Sequence, residues 1–291
     1  MRQSRARPEP GIDRAGGTRI DSALMIAPLP FEPRRFQSAA AHYLPGRAPS
    51  AADLIARVAE RCGLSRADRL LDLGCGPGPL AIAFAPFVGG VVAIDPEPEM
   101  LRIAGAAAAD AGVTIEFIQG SSYDLGPQLG RFRLVAIGRA FHWMDRVDTL
   151  RRLAAMVEPD GAVALFHDSH PKLPENRWQG DYKALIDGYA AGDPLRELHK
   201  SPDWIPHEAV LLDSPFARLE RIGVIERRRT PVDRLVDRAL SMSSTSPQRI
   251  GPRADDLIRE IHTLLAGVAV DGMVTEIVES QALLAFRPGD P

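Results

Sequence analysis

Cysteine is scarce in this sequence of 291 residues, in which Cys62 and Cys75 are the only two. Two thiols cannot build a disulfide framework or a four-thiolate metal site, and nothing in the composition requires an oxidising compartment. A surplus of one charge is also missing, since 35 lysines and arginines face 38 aspartates and glutamates and leave a net charge of −3. That balance argues against a nucleic-acid partner bound through phosphate neutralisation.

Long apolar runs are missing as well. The longest, Leu80–Ile94, is interrupted by Pro86 and by the pair Gly89-Gly90, and it is shorter than the roughly 20 residues that a bilayer-spanning helix needs. The arginines near the N-terminus precede no continuous apolar stretch, so no secretory signal is visible. We therefore expect a soluble, cytoplasmic protein with no membrane partner.

The chain changes character along its length. Residues 1–30 mix Arg, Pro, Gly and single acids without any period, and we interpret them as a disordered leader before a folded domain at 31–291. Short Val/Ile/Leu-rich runs then alternate with helical patterns, which predicts an α/β fold whose parallel sheet is covered on both faces. Residues 171–214 are rich in Pro, Trp and charge, with one amphipathic helix near Tyr182–Tyr189, and we interpret them as an inserted cap.

Seven segments are predicted to be strands. They are Arg69–Leu73, Val91–Ile94, Val113–Ile118, Arg133–Ile137, Ala162–Phe166, Arg218–Arg228 and Val274–Phe286. Helical spacing predicts helices between them. The main ones are 50–62, Gly78–Phe87, Glu97–Ala111, Val147–Val157, Asp233–Leu240 and Ala254–Leu265.

A glycine-rich turn follows the first predicted strand. The segment Leu70-Leu71-Asp72-Leu73-Gly74-Cys75-Gly76-Pro77-Gly78 runs from a strand through three glycines into a helix, and such a turn lets backbone approach a ligand closely. The next strand ends at Asp95, seventeen residues after Gly78, where a carboxylate reaches a ribose placed over the turn. The spacing differs from the Gly-x-Gly-x-x-Gly pyrophosphate fingerprint, and Asp72 suits a cationic cofactor better than a pyrophosphate. The structural alternative is a turn whose glycines serve only helix–strand packing.

These residues resemble a known family. The stretch Leu70–Gly78 with Asp95 is similar to motif I and the ribose-binding acid of class I S-adenosylmethionine-dependent methyltransferases. Tyr43–Arg47 resembles the family's pre-helix segment, in which a tyrosine often approaches the methionine end of the cofactor. Phe141-His142-Trp143-Met144-Asp145 resembles the Phe-His-Trp-x-Asp signature of a subgroup that includes trans-aconitate-type methyltransferases, and the loop 241–247 resembles that subgroup's C-terminal region.

The resemblance implies a Rossmann-like α/β fold with a seven-stranded sheet, an antiparallel last strand and a helical cap. It also implies S-adenosylmethionine as the cofactor. A dehydrogenase is the main rival within this fold. It would have an apolar residue in place of Asp72 and usually lacks an antiparallel final strand, so we prefer the methyltransferase interpretation.

The same resemblance implies a set of cofactor-binding residues. Asp95 would hold the ribose. After the third strand the family often has an acid at the adenine amino group, whereas this chain has Gly120-Ser121-Ser122-Tyr123, so a hydroxyl or a backbone amide has to substitute. The positions implied for the rest of the cofactor are Tyr43, Asp72, Gly74, Cys75, Gly76 and Gly78 at the methionine end, Pro96, Met100, Ser121, Ser122 and Tyr123 near the adenine, and Arg139 and Phe141 after the fourth strand.

His142 is the predicted general base, because the fourth strand delivers it to the carboxyl edge of the sheet, where ligands bind. The alternative role is structural, with His142 orienting its loop through Trp143. His167 is a second choice for the base. No metal is expected, since His167-Asp168-x-His170 is the nearest approach to ligand spacing and polar residues at strand ends are common.

Arg139 and the three tryptophans have two interpretations. Arg139 either attracts an anionic acceptor or pairs with a local acid. Trp143, Trp178 and Trp204 could wall an apolar pocket, and the alternative for Trp178 and Trp204, both in the predicted cap, is to anchor the insertion to the core.

The predicted function is transfer of the S-adenosylmethionine methyl group to an O, N, C or S atom of a small molecule. The alternative is a catalytically silent subunit that binds the cofactor or S-adenosylhomocysteine and regulates a partner. Nucleic-acid methylation is disfavoured by the net charge and by Gly138-Arg139-Ala140-Phe141, which stands where an Asn/Asp-Pro-Pro-Tyr segment would be. Monomer and homodimer both stay open.

Overall fold

The computed structural model describes residue 36 and residues 38–289. Within them, seven strands form one sheet in the order β3-β2-β1-β4-β5-β7-β6. The predicted leader, residues 1–30, lies outside the described residues. The strands are β1 (Arg69–Leu73), β2 (Gly90–Asp95), β3 (Glu116–Gln119), β4 (Phe132–Gly138), β5 (Val157–Ser169), β6 (Arg218–Pro231) and β7 (Met273–Phe286).

Strand β7 runs against both of its neighbours. It pairs antiparallel with β5, where Val163 faces Ala285, and with β6, where Val224 faces Ser280. The pairs β1–β2, β1–β4, β2–β3 and β4–β5 are parallel. The predicted Rossmann-like sheet with an antiparallel last strand is therefore confirmed. Its parallel half brings the carboxyl ends of β1, β2 and β4 to one edge.

Two strands begin several residues away from their predicted starts, whereas the other five begin within one residue of them. β3 begins at Glu116 and not at Val113, because the Val113 N–H still donates to Ala108 O at 3.0 Å and so closes the end of the preceding helix. β5 begins at Val157, ahead of the predicted Ala162, because the chain already pairs with β4 there before the register shifts. Neither difference moves a carboxyl end of the sheet.

Helices cover both faces of the sheet. On one face α2 and α3 bury Leu54 and Phe84, and on the other α5 and α8 bury Leu150 and Leu211. Each such side chain stabilises the fold by about 1.5–3 kcal/mol. No helix of the described residues combines the length and apolar character needed to cross a membrane. The helices are α1 (Ala40–Gly46), α2 (Ala52–Arg61), α3 (Pro79–Phe84), α4 (Pro98–Asp110), α5 (Arg146–Met156), α6 (Trp178–Tyr189), α7 (Pro194–Lys200), α8 (His207–Leu212), α9 (Val232–Leu240), α10 (Pro247–Ile250) and α11 (Arg253–Ala266).

A separate apolar cluster joins α6 to α9 and α11, and we call these three helices the cap layer. Trp178 and Tyr182 of α6 pack there with Leu235 of α9 and Ile261 of α11. The cap was predicted to lie wholly in residues 171–214. Only α6 of the cap layer comes from that stretch, while α8 of the same stretch packs into the sheet core through Val210 and Leu211.

A buried carboxylate fastens the cap layer to the sheet. Glu276 of β7 is fully buried and accepts two hydrogen bonds from Arg238 of α9, both at 2.9 Å. Thr230 donates to it at 2.5 Å, and the His170 ring lies 3.2 Å away. Burial alone raises the pKa of Glu276, but the bonds from Arg238 and His170 outweigh that effect and hold it well below its usual range. The cap layer is thus positioned by a satisfied buried ion pair.

Candidate functional site

A cavity of about 630 Å³ opens at the carboxyl edge of the sheet, within the range of about 300–1,000 Å³ typical of small-molecule sites. Its walls come from the ends of β1, β2 and β4, from the turn after β3, from the start of α7 and from the segment 241–244. A small cavity of about 30 Å³ adjoins it and shares Gly74, Gly138 and Arg139 with it.

The glycine turn after β1 is held tightly against β2. The amides of Gly74 and Cys75 both donate to the Ile94 carbonyl, at 2.8 and 3.0 Å. Gly74, Gly76 and Gly78 have φ of +70°, +54° and +78°, the left-handed region that favours glycine. A Cβ on Gly74 would lie 2.6 Å from that of Ala140. The turn therefore needs glycine at position 74 for conformation and for space.

Asp95 is held by two backbone amides at the end of β2. The Gly76 N–H donates to its Oδ2 at 2.8 Å, and the Glu97 N–H donates to its Oδ1 at 2.9 Å. The side chain is buried, and burial raises its pKa despite those bonds. Each carboxylate oxygen keeps a further lone pair. Asp95 is thus fixed in the cavity wall with two acceptors available to ligand hydroxyls.

Asp72 is a buried acid that is only half satisfied. Its Oδ2 accepts a hydrogen bond from the Ala81 N–H at 2.9 Å, whereas its Oδ1 has no hydrogen-bond partner among the described residues. Burial raises the pKa of Asp72 to about 7, and the nearby charge of Asp95 adds to the effect. An unpaired buried acceptor costs about 1–3 kcal/mol. A cationic ligand group in the small cavity, which Asp72 lines, fits this unsatisfied oxygen.

The structure brings most of the predicted site residues together. Asp72 and Cys75 line the small cavity, where burial raises the pKa of the Cys75 thiol. The predicted residues that line the large cavity are Tyr43, Gly74, Gly76, Asp95, Pro96, Met100, Ser121, Ser122, Tyr123, Arg139 and His142.

Two predicted residues line neither cavity. Gly78 faces α4, since a Cβ there would lie 3.3 Å from that of Ala104, so its place in the motif is explained by helix packing. Phe141 is buried in the core beneath α5 and meets the His207 ring edge-on at 5.1 Å. The aromatic side chain closes the core under the loop that carries His142.

The polar groups of Ser121 are hydrogen-bonded within the turn after β3. Its hydroxyl donates to Asp124 Oδ2 at 2.9 Å and accepts from the Tyr123 N–H at 3.3 Å, and its own N–H donates to Asp124 at 2.7 Å. Of the hydroxyls expected to substitute for the family's acid, that of Ser121 is therefore already committed to the turn.

Arg139 pairs with a local acid, which was one of its two predicted roles, while attraction of an anionic acceptor stays a prediction. It lines both cavities, and its guanidinium lies 3.4 Å from Asp168. Its backbone has φ +55°, which is unusual for a residue with a side chain, and its N–H donates to the Phe166 carbonyl at 3.1 Å. Backbone strain of this kind is concentrated at functional sites.

Several cavity residues were not predicted from the sequence. Arg47 is a half-buried cation among them. It donates from Nε to Ser241 Oγ at 2.9 Å, and burial, together with the charge of Arg139, lowers its pKa to about 10. A buried Glu97 is hidden in Pro96-Glu97-Pro98, which is typical of an exposed turn. The other missed residues are Phe36, Asp193, Pro194, Arg196 and Ser241–Ser244, which come from distant parts of the chain.

His167, Asp168 and His170, at the end of β5 and just beyond it, do not point to a common site. Asp168 accepts from Ser280 at 2.8 Å, and His170 faces Glu276. Burial lowers the pKa of His167. Across residues 36 and 38–289, no group of three or more His, Cys, Asp or Glu is arranged to hold a metal ion.

The tryptophans divide between the two interpretations. Trp143 lines the large cavity, with the Phe36 ring edge-on at 5.4 Å. Trp178 donates from Nε1 to the Thr275 carbonyl at 3.1 Å, and Arg146 lies 4.4 Å from the centre of the Trp204 ring. Neither Trp178 nor Trp204 lines the cavity, so both anchor the 171–214 stretch to the rest of the domain.

The reversed β7, the glycine turn and the acid at the end of β2 form the arrangement expected of a class I S-adenosylmethionine-dependent methyltransferase. Residues 70–161 match the family model described as a methyltransferase domain. This match and the methyltransferase relatives described below bear out the resemblance noted in the sequence, and they support an S-adenosylmethionine-dependent enzyme. A half-satisfied buried Asp72 and a turn that excludes any side chain at Gly74 fit that cofactor.

Known proteins are similar to this chain in sequence or in fold. An uncharacterized methyltransferase of Mycobacterium tuberculosis is 27% identical over 231 residues, which cover 78% of this chain and 84% of that protein. A ubiquinone biosynthesis O-methyltransferase of Azorhizobium caulinodans is 36% identical over 96 residues, 33% of this chain and 38% of that one. A methyltransferase of Thiobacillus denitrificans, solved with S-adenosylhomocysteine, superposes with a TM-score of 0.51 at 16% identity over 88% of this chain and 99% of its own.

The close packing at the turn generates a prediction about Gly74. Gly74→Ala should lower the thermal midpoint more than Gly112→Ala, although both glycines have positive φ, +70° and +67°. Each substitution carries the left-handed penalty of about 1 kcal/mol, but only a Cβ at 74 also meets another atom, since nothing lies within 4 Å of one at 112. Thermal unfolding of the two variants checks this. Equal losses would show that the loop relaxes around the methyl group.

The raised pKa of Asp72 predicts a pH dependence. Because the pKa is about 7 in the folded state, against 3.8 for an unperturbed aspartate, the native state favours the protonated acid. Its stabilising contribution is complete below about pH 4 and is lost as the pH rises through 7, on the order of 4 kcal/mol in total. Denaturant unfolding of wild type and Asp72→Asn between pH 4 and 8 should give curves that converge at low pH and separate at high pH, with the variant more stable. Parallel curves would contradict the assignment.

Proposed function

We propose that this enzyme methylates an O, N, C or S atom of a small-molecule acceptor bound at the cap end of the large cavity. One observation carries the proposal. A single cavity runs from Asp95 and the glycine turn at the sheet edge to Arg196 and Ser241–Ser244 at the other end. A cofactor and a small acceptor can therefore meet inside it. One relative, matched over 33% of this chain, is named a ubiquinone biosynthesis O-methyltransferase, and that name supports methyl transfer to an oxygen atom.

The cofactor end has a matching residue for each part of S-adenosylmethionine. Asp95 would accept hydrogen bonds from the ribose hydroxyls, Asp72 and the glycine turn would face the methionine end, and Pro96 and Met100 would pack near the adenine. The cofactor supplies an electrophilic methyl group on a sulfonium. The protein's contribution is to hold donor and acceptor in line at short distance, which is the main source of rate acceleration in such a displacement.

The acceptor end is built by residues outside the parallel sheet. Arg196 opens α7 and bonds Ser244 Oγ at 3.3 Å, and Arg47 bonds Ser241. This polar wall, together with the cap layer, supports a covering role for α6 and α7 of the 171–214 stretch. His142 lies in the same wall as Trp143 and is proposed as the base that removes a proton from a hydroxyl or amine acceptor.

Calorimetric titration with S-adenosylmethionine and S-adenosylhomocysteine tests the cofactor half of the proposal. Both should bind, and Asp95→Ala should weaken binding by about 30- to 1000-fold, because a hydroxyl bonded to a charged acceptor contributes about 1.5–3 kcal/mol per bond. Asp110→Ala at the exposed far end of α4 is the control and should bind like wild type. Unchanged affinity in Asp95→Ala would refute the role of Asp95.

A screen of small-molecule acceptors with methyl-labelled S-adenosylmethionine tests turnover. Once an acceptor is found, His142→Gln at saturating cofactor should slow transfer by about 10²- to 10⁴-fold while cofactor affinity stays the same. A loss below about tenfold would assign His142 to positioning and not to proton transfer. Cofactor binding with no transfer to any acceptor would favour the silent binding subunit.

A further inference from the structure

Glu97 is a buried acid with an unpartnered oxygen. The residue is 6% exposed, and its Oε2 has no hydrogen-bond partner among the described residues. Buried carboxylates are normally paired with a cation or bonded to amides, because a lone charge away from water is costly. Within the described part of the chain this oxygen has neither kind of partner, and Glu97 lines the large cavity beside Asp95, Pro96 and Met100.

The position of Glu97 in its helix does not explain its side chain. It is the N-cap residue of α4, a site where Ser, Thr, Asp or Asn usually accepts a hydrogen bond from the first turn. Glu97 makes no such side-chain cap, and its own N–H donates to Asp95. The Glu97 carboxylate therefore does not cap α4, and it is available to another partner.

The surroundings define the chemistry of that partner. Asp95 and Glu97 are two acids at one end of the cavity, and the charge of Glu97 contributes to the raised pKa of Asp95 after burial. A pair of acids repels an anion and matches a neutral group with several N–H or O–H donors. Ser121, across the same end of the cavity, has its hydroxyl and amide committed to Asp124.

We propose that Glu97 is a second carboxylate of the cofactor site, accepting a hydrogen bond from a donor on the nucleoside half of S-adenosylmethionine. The inference rests on the proposed function, because it takes the cofactor to lie at the Asp95 end of the cavity. The donor is either a ribose hydroxyl or the exocyclic amine of adenine. These two sources share the same chemistry toward a carboxylate and differ in the ligand atom that supplies the proton.

The test combines binding with stability in the absence of ligand. Glu97→Met keeps the length of the side chain and removes its charge and acceptors, while Glu97→Gln keeps one carbonyl acceptor. Glu99→Gln, two residues on and paired with Arg102 at the surface, is the control. Calorimetry with S-adenosylhomocysteine should show at least about a tenfold loss of affinity in Glu97→Met, a smaller loss in Glu97→Gln and none in the control.

Thermal unfolding without ligand gives the second readout. Removing an unpartnered buried acid relieves the cost of its desolvation. The thermal midpoint of Glu97→Met should therefore be higher than that of wild type, although its affinity for S-adenosylhomocysteine is lower. A residue with a purely structural role would change the midpoint in the opposite direction. A lower midpoint in Glu97→Met would therefore overturn the proposal, as would unchanged affinity.

Analogues of S-adenosylhomocysteine identify the donor. The 2′-deoxy, 3′-deoxy and 6-deamino forms are titrated into wild type and Glu97→Met, and the analogue that lacks the relevant donor should bind both proteins equally. If wild type outbinds Glu97→Met by the same factor with all three analogues, the hydrogen bond does not exist and the inference fails. That failure is distinct from failure of the proposed function, in which wild type binds no S-adenosylhomocysteine or Asp95→Ala binds it normally.

Discussion

The hydrogen bond from the Gly76 amide to Asp95 is the contact on which the site depends. It ties the turn after β1 to the end of β2, and it is possible because parallel register places Leu73 opposite Ile94. The Ile94 carbonyl, bonded to the Gly74 amide, fixes the same junction from the other side. Two neighbouring strand ends are thus locked into one rigid surface, and ligand groups can be placed on it with little freedom to shift.

Unpartnered buried polar atoms and strained backbone are concentrated at the site. Three buried side-chain oxygens of the described residues have no hydrogen-bond partner, and two of them, on Asp72 and Glu97, belong to residues that line the cavities. Arg139, with its left-handed backbone, lies in the same walls. The cavity walls thus carry unsatisfied polar atoms that cost stability, whereas Glu276, which joins the cap layer to the sheet, is fully bonded. That contrast is expected of a surface shaped for a ligand.

The parallel part of the sheet could be predicted because β1, β2 and β4 are largely apolar and because the turn after β1 needs glycine for local reasons. Positive φ at Gly74 is a property of a few adjacent residues, so the sequence shows it. The cap layer could not be predicted in full, since α6 and α9 meet only through tertiary packing. Glu97 was missed for the same reason, because burial of a charged residue between two prolines depends on what folds over it. Phe141 carries the family signature yet serves the core.

The distribution of tryptophan gives the molecule an internal optical probe. Of the three indoles in the sequence, only that of Trp143 lines the large cavity. Trp178 is bonded to a backbone carbonyl and Trp204 packs against an arginine, and neither lines the cavity. Emission from Trp143 responds to whatever occupies the cavity, while the other two supply a background that changes when the domain unfolds. Occupancy and folding can therefore be followed separately by fluorescence in the unmodified protein, without attaching a dye near the site.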